Sequence, residues 1–153
     1  MKIDIRKIII AFSVVIIVWL LSGILTMNSM DVYEQLNKPY LNPPGYIFAI
    51  VWPILYLLMG LSFYLILISD LDNKESINIF ILQLLFNFFW PILFFLFDFY
   101  LFSSAWLLVL IILIGYTMYQ FYKINKVSSL LLIPYFIWCI FALYLNFSIY
   151  LLN

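Results

Sequence analysis

Apolar residues in this chain come in long unbroken runs, separated by short polar punctuation. Residues 8–27, IIIAFSVVIIVWLLSGILTM, carry no charge, and a helix of this length spans a hydrocarbon core of about 30 Å. Four more runs follow, predicting helices at 44–69, 77–97, 101–122 and 128–152. The breaks between them are the acidic turn of Asp70, Asp72, Lys74 and Glu75, then Asp98, then Lys123 and Lys126. None of the runs alternates strictly, and each is about twice the length of a membrane-spanning strand. Lipid admits only helices and closed barrels, because backbone polar groups find no water there. The pattern therefore predicts an all-α integral membrane protein: one domain over residues 1–153, built as a single bundle of five transmembrane helices.

One stretch breaks the rhythm. Residues 28–43 are polar, and Pro39, Pro43 and Pro44 deny the loop a helix or a strand ladder, since each fixes φ and lacks an N–H. The loop runs directly into the second helix, which carries Trp52, Pro53 and Tyr56. A loop so stiffened costs little further entropy to hold in one shape. It is read as a lid over a pocket among the helices.

Composition agrees with a membrane setting: 68% of the 153 residues are hydrophobic and 9% charged, far from the soluble norm. The formal net charge of +0 gives no sign of a nucleic-acid partner. With His 0 and Cys 1, the usual metal ligand, general base and internal disulfide are all missing, so no metal and no cofactor are expected. Cys139 sits in an apolar run and reads as a small buried hydrophobe. The first run exceeds a signal peptide's apolar core and no small-residue cleavage site follows, so it reads as a retained helix. With five spans, Lys2, Arg6, Lys7, Lys74, Lys123 and Lys126 share one side and only Lys38 lies opposite. That bias predicts a cytoplasmic N-terminus, with the 28–43 loop and the C-terminus outside.

Residues that carry chemistry are few. No Asp, Glu, Lys or Arg lies well inside a predicted span, which counts against an ion-coupled transporter. Nothing resembles a nucleophile–base pair, a phosphate loop or a metal-ligand spacing. What remains is amide, indole and phenol. Gln83 and Asn87 share a face of the third helix with Trp90 beyond them, and Pro91 weakens that helix at Asn87. Trp52 and Tyr56 share a face of the second helix, and Trp138, Ala142 and Asn146 form a line on the fifth. Helical rise places Trp52 about 9 Å, Asn87 about 15 Å and Trp138 about 21 Å below the outer helix ends. These groups are expected to line one outward-opening cavity suited to a flat, largely apolar ligand. Packing between helices is the competing account of each residue. Trp19 and Trp106, with no polar neighbour on their faces, are expected only to pack or to touch lipid.

At these residues the chain resembles the TspO/MBR family, also called tryptophan-rich sensory protein, translocator protein or peripheral-type benzodiazepine receptor, in its bacterial form. Three segments carry the resemblance: LNKPYLNPPGYIFAIVWPILY over 36–56, QLLFNFFWPILFF over 83–95 and LIPYFIWCIFALYLNFSIY over 132–150. It implies a homodimer of five-helix bundles whose outer loop lids a pocket for porphyrins and similar flat hydrophobic ligands. Pocket residues carried over by motif are Tyr33, Trp52, Asn87, Trp90, Trp138 and Ala142, under the lid of Pro39, Pro43 and Pro44. The implied function is a membrane receptor or carrier for tetrapyrroles, with room for a regulatory or sensory output. The alternatives are a light-dependent porphyrin-degrading enzyme using Trp52 and Trp138, and a structural membrane protein whose aromatics only pack. Otherwise no catalytic residue is expected. Leu41 and Tyr46 stand where the family's loop usually has tryptophan. The sterol pattern of animal members, which needs a basic residue after a tyrosine late in the fifth helix, is missing at Tyr144 and Tyr150. A looser match at Leu113, Tyr119 and Lys123 is nearly unavoidable among 12 tyrosines, and no sterol site is predicted.

Overall fold

The computed structural model describes residues 3–153. Asp4 opens the first helix, its carboxylate accepting the Lys7 N–H at 3.2 Å, which replaces one of the backbone bonds a helix start lacks. Helix α1 (Ile5–Thr26) then runs through the first apolar stretch. A 3₁₀ turn (Met27–Ser29) and a short helix α2 (Met30–Gln35) follow. Here the expected irregular loop is corrected: its first half is helical. The prolines begin only at Pro39, so nothing before Leu36 interrupts backbone bonding. The second half is irregular as expected, with a turn closed by the Asn42 N–H on the Pro39 carbonyl at 3.0 Å.

Helix α3 (Gly45–Leu67) starts immediately after Pro44. Helix α4 (Lys74–Pro91) passes into wider, π-type turns over Ile92–Leu96. Pro91 has no N–H for the Asn87 carbonyl, and the ladder resumes with longer steps such as Phe97 N–H to the Ile92 carbonyl at 3.2 Å. Asp98 makes the tight link with φ 55, a left-handed conformation Asp tolerates. Helix α5 (Tyr100–Ile124) follows. The fifth predicted helix is divided into α6 (Lys126–Leu131) and α7 (Ile133–Leu152), because Pro134 cannot bond back across the first turn of α7.

Five helical spans among the described residues are long and apolar enough to cross a membrane: Ile5–Ser29, Gly45–Leu67, Lys74–Leu96, Tyr100–Ile124 and Lys126–Leu152. They close into a ring. α1 packs on α3 and α4, α3 on α6 and α7, those two on α5, and α5 on α4. Hydrogen bonds at the ends show how the chain alternates. Asp4 N–H meets the Tyr64 hydroxyl at 3.4 Å, joining the start of α1 to the end of α3. Glu75 at the start of α4 accepts the Gln120 amide near the end of α5 at 2.6 Å. At the other end, the Asn153 amide reaches the Asn37 carbonyl at 3.0 Å. Arg6, Lys7, Lys74, Lys123 and Lys126 thus gather at one end and Lys38 at the other. Lys2, counted with the first group, lies outside the described residues.

The two ends are packed differently. Towards the basic end the bundle is sealed by Phe63, Phe80 and Phe121, with Phe63 and Phe80 stacked at 4.3 Å. Gly60 lets α1 approach closely there, since a Cβ at that position would meet Cδ1 of Phe12 at 2.8 Å. Ser62 and Ser128 bond reciprocally to each other's carbonyls at 2.8 and 2.7 Å, a small-residue contact that draws α3 against α6. Towards the loop end the helices part, and a cavity opens between them.

Candidate functional site

The cavity has a volume of about 420 Å³, within the range of pockets that hold small organic ligands. Three long helices wall it. From α3 come Phe48, Ala49, Trp52, Pro53 and Tyr56, and from α4 and its extension Asn87, Trp90, Pro91 and Phe95. The third wall is α1, through Trp19, Ser22, Gly23 and Thr26. These four recur at the i, i+3, i+4, i+7 spacing of one helix face. Both hydroxyls on that face turn back to their own helix, Ser22 to the Trp19 carbonyl at 3.1 Å and Thr26 to the Ser22 carbonyl at 2.8 Å. The α1 wall therefore offers mostly carbon and one indole.

Aromatic rings are stationed in sequence around the space. Trp52 lies 5.8 Å from Trp90 and 5.9 Å from Tyr56, and Trp19 lies 6.3 Å from Tyr56. These separations are those of mutually attracting tilted rings. Trp90 is further fixed through its N–H, which donates to Asn146 Oδ1 at 3.0 Å. Asn146 in turn donates to the Tyr100 carbonyl at 2.9 Å and to the Ser104 hydroxyl at 2.6 Å, which anchors the indole to α5 as well as α7.

The polar part of the wall is a single file of bonds. The Tyr56 hydroxyl donates to Asn87 Oδ1. Asn87 Nδ2 donates to the Tyr135 oxygen at 3.0 Å, and the Tyr135 hydroxyl donates to Gln83 Oε1 at 2.9 Å. Gln83 and Tyr135 are buried behind the cavity, and the file links α3, α4 and α7.

Helix α2 supplies one side through Tyr33, and the connection after it packs on that ring. Tyr33 lines the cavity, with its ring 5.5 Å from Phe95 and its hydroxyl donating to Asn42 Oδ1 at 2.8 Å. Burial pushes the Tyr33 hydroxyl pKa above its usual 10. Asn42 Nδ2 donates to the Pro43 carbonyl at 3.1 Å, and the Lys38 ammonium sits 4.9 Å from the Tyr33 ring centre. Asn37 ties the same segment to the C-terminus, its N–H donating to Asn153 Oδ1 at 2.9 Å.

Sequence comparison was made against this geometry. The chain matches the profile of the TspO/MBR family over residues 9–152. It belongs to the TspO/MBR family. It is 38% identical over 124 residues to the tryptophan-rich protein TspO of Chlorobaculum tepidum, covering 79% of this chain and 78% of the other. It is 34% identical over 152 residues to that of Archaeoglobus fulgidus, covering 98% and 99% of the two chains. The tryptophan-rich sensory protein of Cereibacter sphaeroides is 32% identical over 122 residues, covering 79% and 76%. The chain is thus a multi-pass integral membrane protein of this family.

In this TspO/MBR chain, four of the six expected pocket residues, Tyr33, Trp52, Asn87 and Trp90, meet at one cavity. Trp138 and Ala142 lie outside its lining. Trp138 packs edge-on against Phe48 at 5.8 Å, so it stands behind a wall residue, and its buried N–H has no partner among the described residues. Ala142 is 5% exposed within the core. The wall expected from the fifth helix is supplied by α1 instead. Trp19, expected only to pack, lines the cavity. Trp106 does pack: its ring stacks on Phe86 at 4.2 Å and its N–H donates to the Phe86 carbonyl at 2.9 Å. Of the prolines, Pro39, Pro43 and Pro44 shape the covering segment without lining the cavity. Leu41 and Tyr46 are exposed and outside the lining. The α1 face was the main omission, although its signal is legible: Trp, Ser, Gly and Thr recur at helical spacing in an otherwise aliphatic run.

Proposed function

We propose that this protein is a membrane receptor that takes a porphyrin, or another flat and largely apolar molecule, into the cavity between α1, α3 and α4, with the 28–43 segment as its lid. The observation that carries the proposal is the arrangement of Trp19, Trp52, Tyr56 and Trp90 as successive rings around one space of suitable volume. Such walls favour a planar π-system, since stacked or edge-on contacts contribute beyond area burial. Tyr33 and Asn42 hold the lid, and the three prolines limit the entropy lost when it closes over a ligand. The name of the Cereibacter relative supports a sensory output, with occupancy of the cavity as the signal. The six-to-one distribution of basic residues supports a cytoplasmic N-terminus in a bacterial cell membrane, with the lid outside. A homodimer is proposed on the family likeness.

The test is titration of protoporphyrin into the protein in nanodiscs, read by tryptophan emission and by the porphyrin absorbance. Saturable quenching at one porphyrin per chain is expected. Quenching that rises linearly, and equally in empty nanodiscs, refutes a pocket.

One observation favours light-driven porphyrin loss as a second reading. Trp52 and Trp90, 5.8 Å apart, form a pair of oxidisable indoles on the wall. Under that reading Trp52 donates an electron to the excited ligand, giving an indole radical cation and a porphyrin radical anion that dissolved dioxygen then oxidises, whereas Trp138 is screened by Phe48. Decay of porphyrin absorbance in light but not in darkness, slowed far more by Trp52→Phe than by Trp138→Phe, is the expected outcome. Equal decay with and without protein refutes it.

A further inference from the structure

The file of bonds from Tyr56 through Asn87 and Tyr135 to Gln83 has a property that none of its members has alone: it can be turned around. Among the described residues, neither carboxamide has any other hydrogen-bond partner, and Gln83 Nε2 is buried with none. In the arrangement observed, Tyr56 donates to Asn87, Asn87 to Tyr135, and Tyr135 to Gln83 Oε1. Rotating both carboxamides and the hydroxyls gives the opposite sense. Gln83 Nε2 then donates to Tyr135, Tyr135 to Asn87 Oδ1, and Asn87 Nδ2 to the Tyr56 oxygen. The bond count is the same, three in each sense, and the heavy atoms stay in place because amide oxygen and nitrogen occupy equivalent positions. Only the two ends differ. At the buried end, Gln83 exchanges an unpartnered N–H group for an unpartnered oxygen. At the cavity end, Tyr56 exchanges a committed proton for a free one.

We infer that the Tyr56 hydroxyl is the specificity-determining polar contact of the cavity, and that reversal of the Asn87–Tyr135–Gln83 file lets it serve either an acceptor or a donor on the ligand. The inference rests on the proposed ligand-binding role of this cavity. In the observed sense Tyr56 offers lone pairs, fitting a ligand N–H or O–H. In the reversed sense it offers its proton, fitting a carbonyl or carboxyl. The ligand class is therefore a flat apolar skeleton bearing one hydrogen-bonding group, of either polarity, at the seam of α3 and α4. The rest of the lining gives little competition: the Ser22 and Thr26 protons are spent on α1 carbonyls, leaving the Ser22 oxygen beside Tyr56 as a weak acceptor, and the Trp90 N–H is spent on Asn146.

Three isosteric probes test it: fluorenone with a carbonyl acceptor, carbazole with an N–H donor, and fluorene with neither. Each is titrated into the protein in nanodiscs against tryptophan emission, with empty-nanodisc partitioning subtracted. The wild-type protein is expected to bind fluorenone and carbazole about two- to tenfold more tightly than fluorene, the range of one net hydrogen bond. Tyr56→Phe, which keeps the ring and removes the hydroxyl, should erase both preferences, so that the three probes bind with one affinity within about twofold. Gln83→Leu gives the sharper result. Without Gln83 Oε1, Asn87 Oδ1 is the strongest acceptor left to the Tyr135 proton, the Cys139 sulfur beside it being a weak one, so the reversed sense is favoured. Fluorenone should then bind about two- to tenfold more tightly and carbazole correspondingly more weakly. A residue that merely packed would shift both probes the same way. If Gln83→Leu does not fold, infrared spectroscopy of fluorenone bound to the wild-type protein decides, with a carbonyl stretch lowered from its value in hydrocarbon expected. A stretch at the hydrocarbon value, or probes moving together in Gln83→Leu, overturns the inference. Failure of fluorene itself to bind saturably would instead overturn the binding role of the cavity.

Discussion

Side chains in this protein divide by what their polar atoms are doing. Trp52 and Trp19 present rings to the cavity, Trp90 presents a ring while its N–H is held by Asn146, and Trp106 is occupied by Phe86. Asn146 is the residue on which the Trp90 orientation depends. Replacing it with Leu strands the Trp90 N–H, at about 1–3 kcal/mol for a buried unpaired group, while the Ser103 and Ser104 hydroxyls keep the Tyr100 carbonyl. Asn146→Leu is expected to lower the thermal midpoint in detergent and to weaken porphyrin binding, whereas Trp106→Phe should lower stability alone. Porphyrin affinity untouched in a destabilised Asn146→Leu protein would detach Trp90 from the site. At this scale the chain was legible in part. Trp52, Asn87 and Trp90 were readable because each breaks an aliphatic run beside a proline or a second polar group. Trp138 met the same criterion and yet stands behind Phe48, because spacing gives the face of a helix but not how far that face is rotated towards a neighbour. Trp19 was passed over because its polar companions, Ser22 and Thr26, are small and bond to their own helix.

Elements show the same division between what local chemistry dictates and what packing decides. The five spans follow from run length alone and the break at Asp98 from a charge between two apolar runs, whereas the division before Pro134, inside the expected 128–152 helix, was not read. The short helix α2 was not legible, since polar residues beside a proline cluster read as a loop, and its helical bonding becomes worthwhile once Tyr33 packs on Phe94 and Phe95. That packing makes α2 the fixed edge of the proposed lid. Replacing Pro43 and Pro44 with Gly should raise amide exchange across residues 36–44 and weaken porphyrin binding while leaving the spans intact. Unchanged affinity in a demonstrably looser loop would reduce the segment to a connector. The Tyr33–Asn42 contact is also expected to depend on pH. Burial favours the neutral Tyr33 hydroxyl, whose proton is needed for the bond to Asn42. Its contribution is complete below the ordinary tyrosine pKa of about 10 and is lost as the pH rises through the higher folded value. Lid protection measured by limited proteolysis is expected to persist through pH 10 and fall above it, and the fall should vanish in Tyr33→Phe. Protection lost well below pH 10 would contradict this sign.

As a whole, the molecule is a ring of five helices sealed at its basic end, with a cavity beneath the 28–43 segment at the other. Phe63, Phe80 and Phe121 close one end, and the aromatic cavity occupies the other, so the proposed ligand is expected to enter from one face only. The basic end carries Arg6, Lys7, Lys74, Lys123 and Lys126, so the open face is expected to be extracytoplasmic. A reporter fused after Asn153 should read as external, and a cytoplasmic reading would invert the arrangement. The central claim is that the space between α1, α3 and α4 is where a flat ligand sits. Its most direct test compares protoporphyrin affinity, read by the porphyrin absorbance in nanodiscs, for Trp52→Ala, Trp19→Ala and Trp106→Ala. Loss of a ring face removes area burial and about 0.5–1.5 kcal/mol of aromatic contact besides. The first two variants should therefore bind about tenfold or more weakly, while Trp106→Ala stays near wild type. Equal affinities across the three variants would place the ligand elsewhere and leave the cavity's rings with packing as their only role.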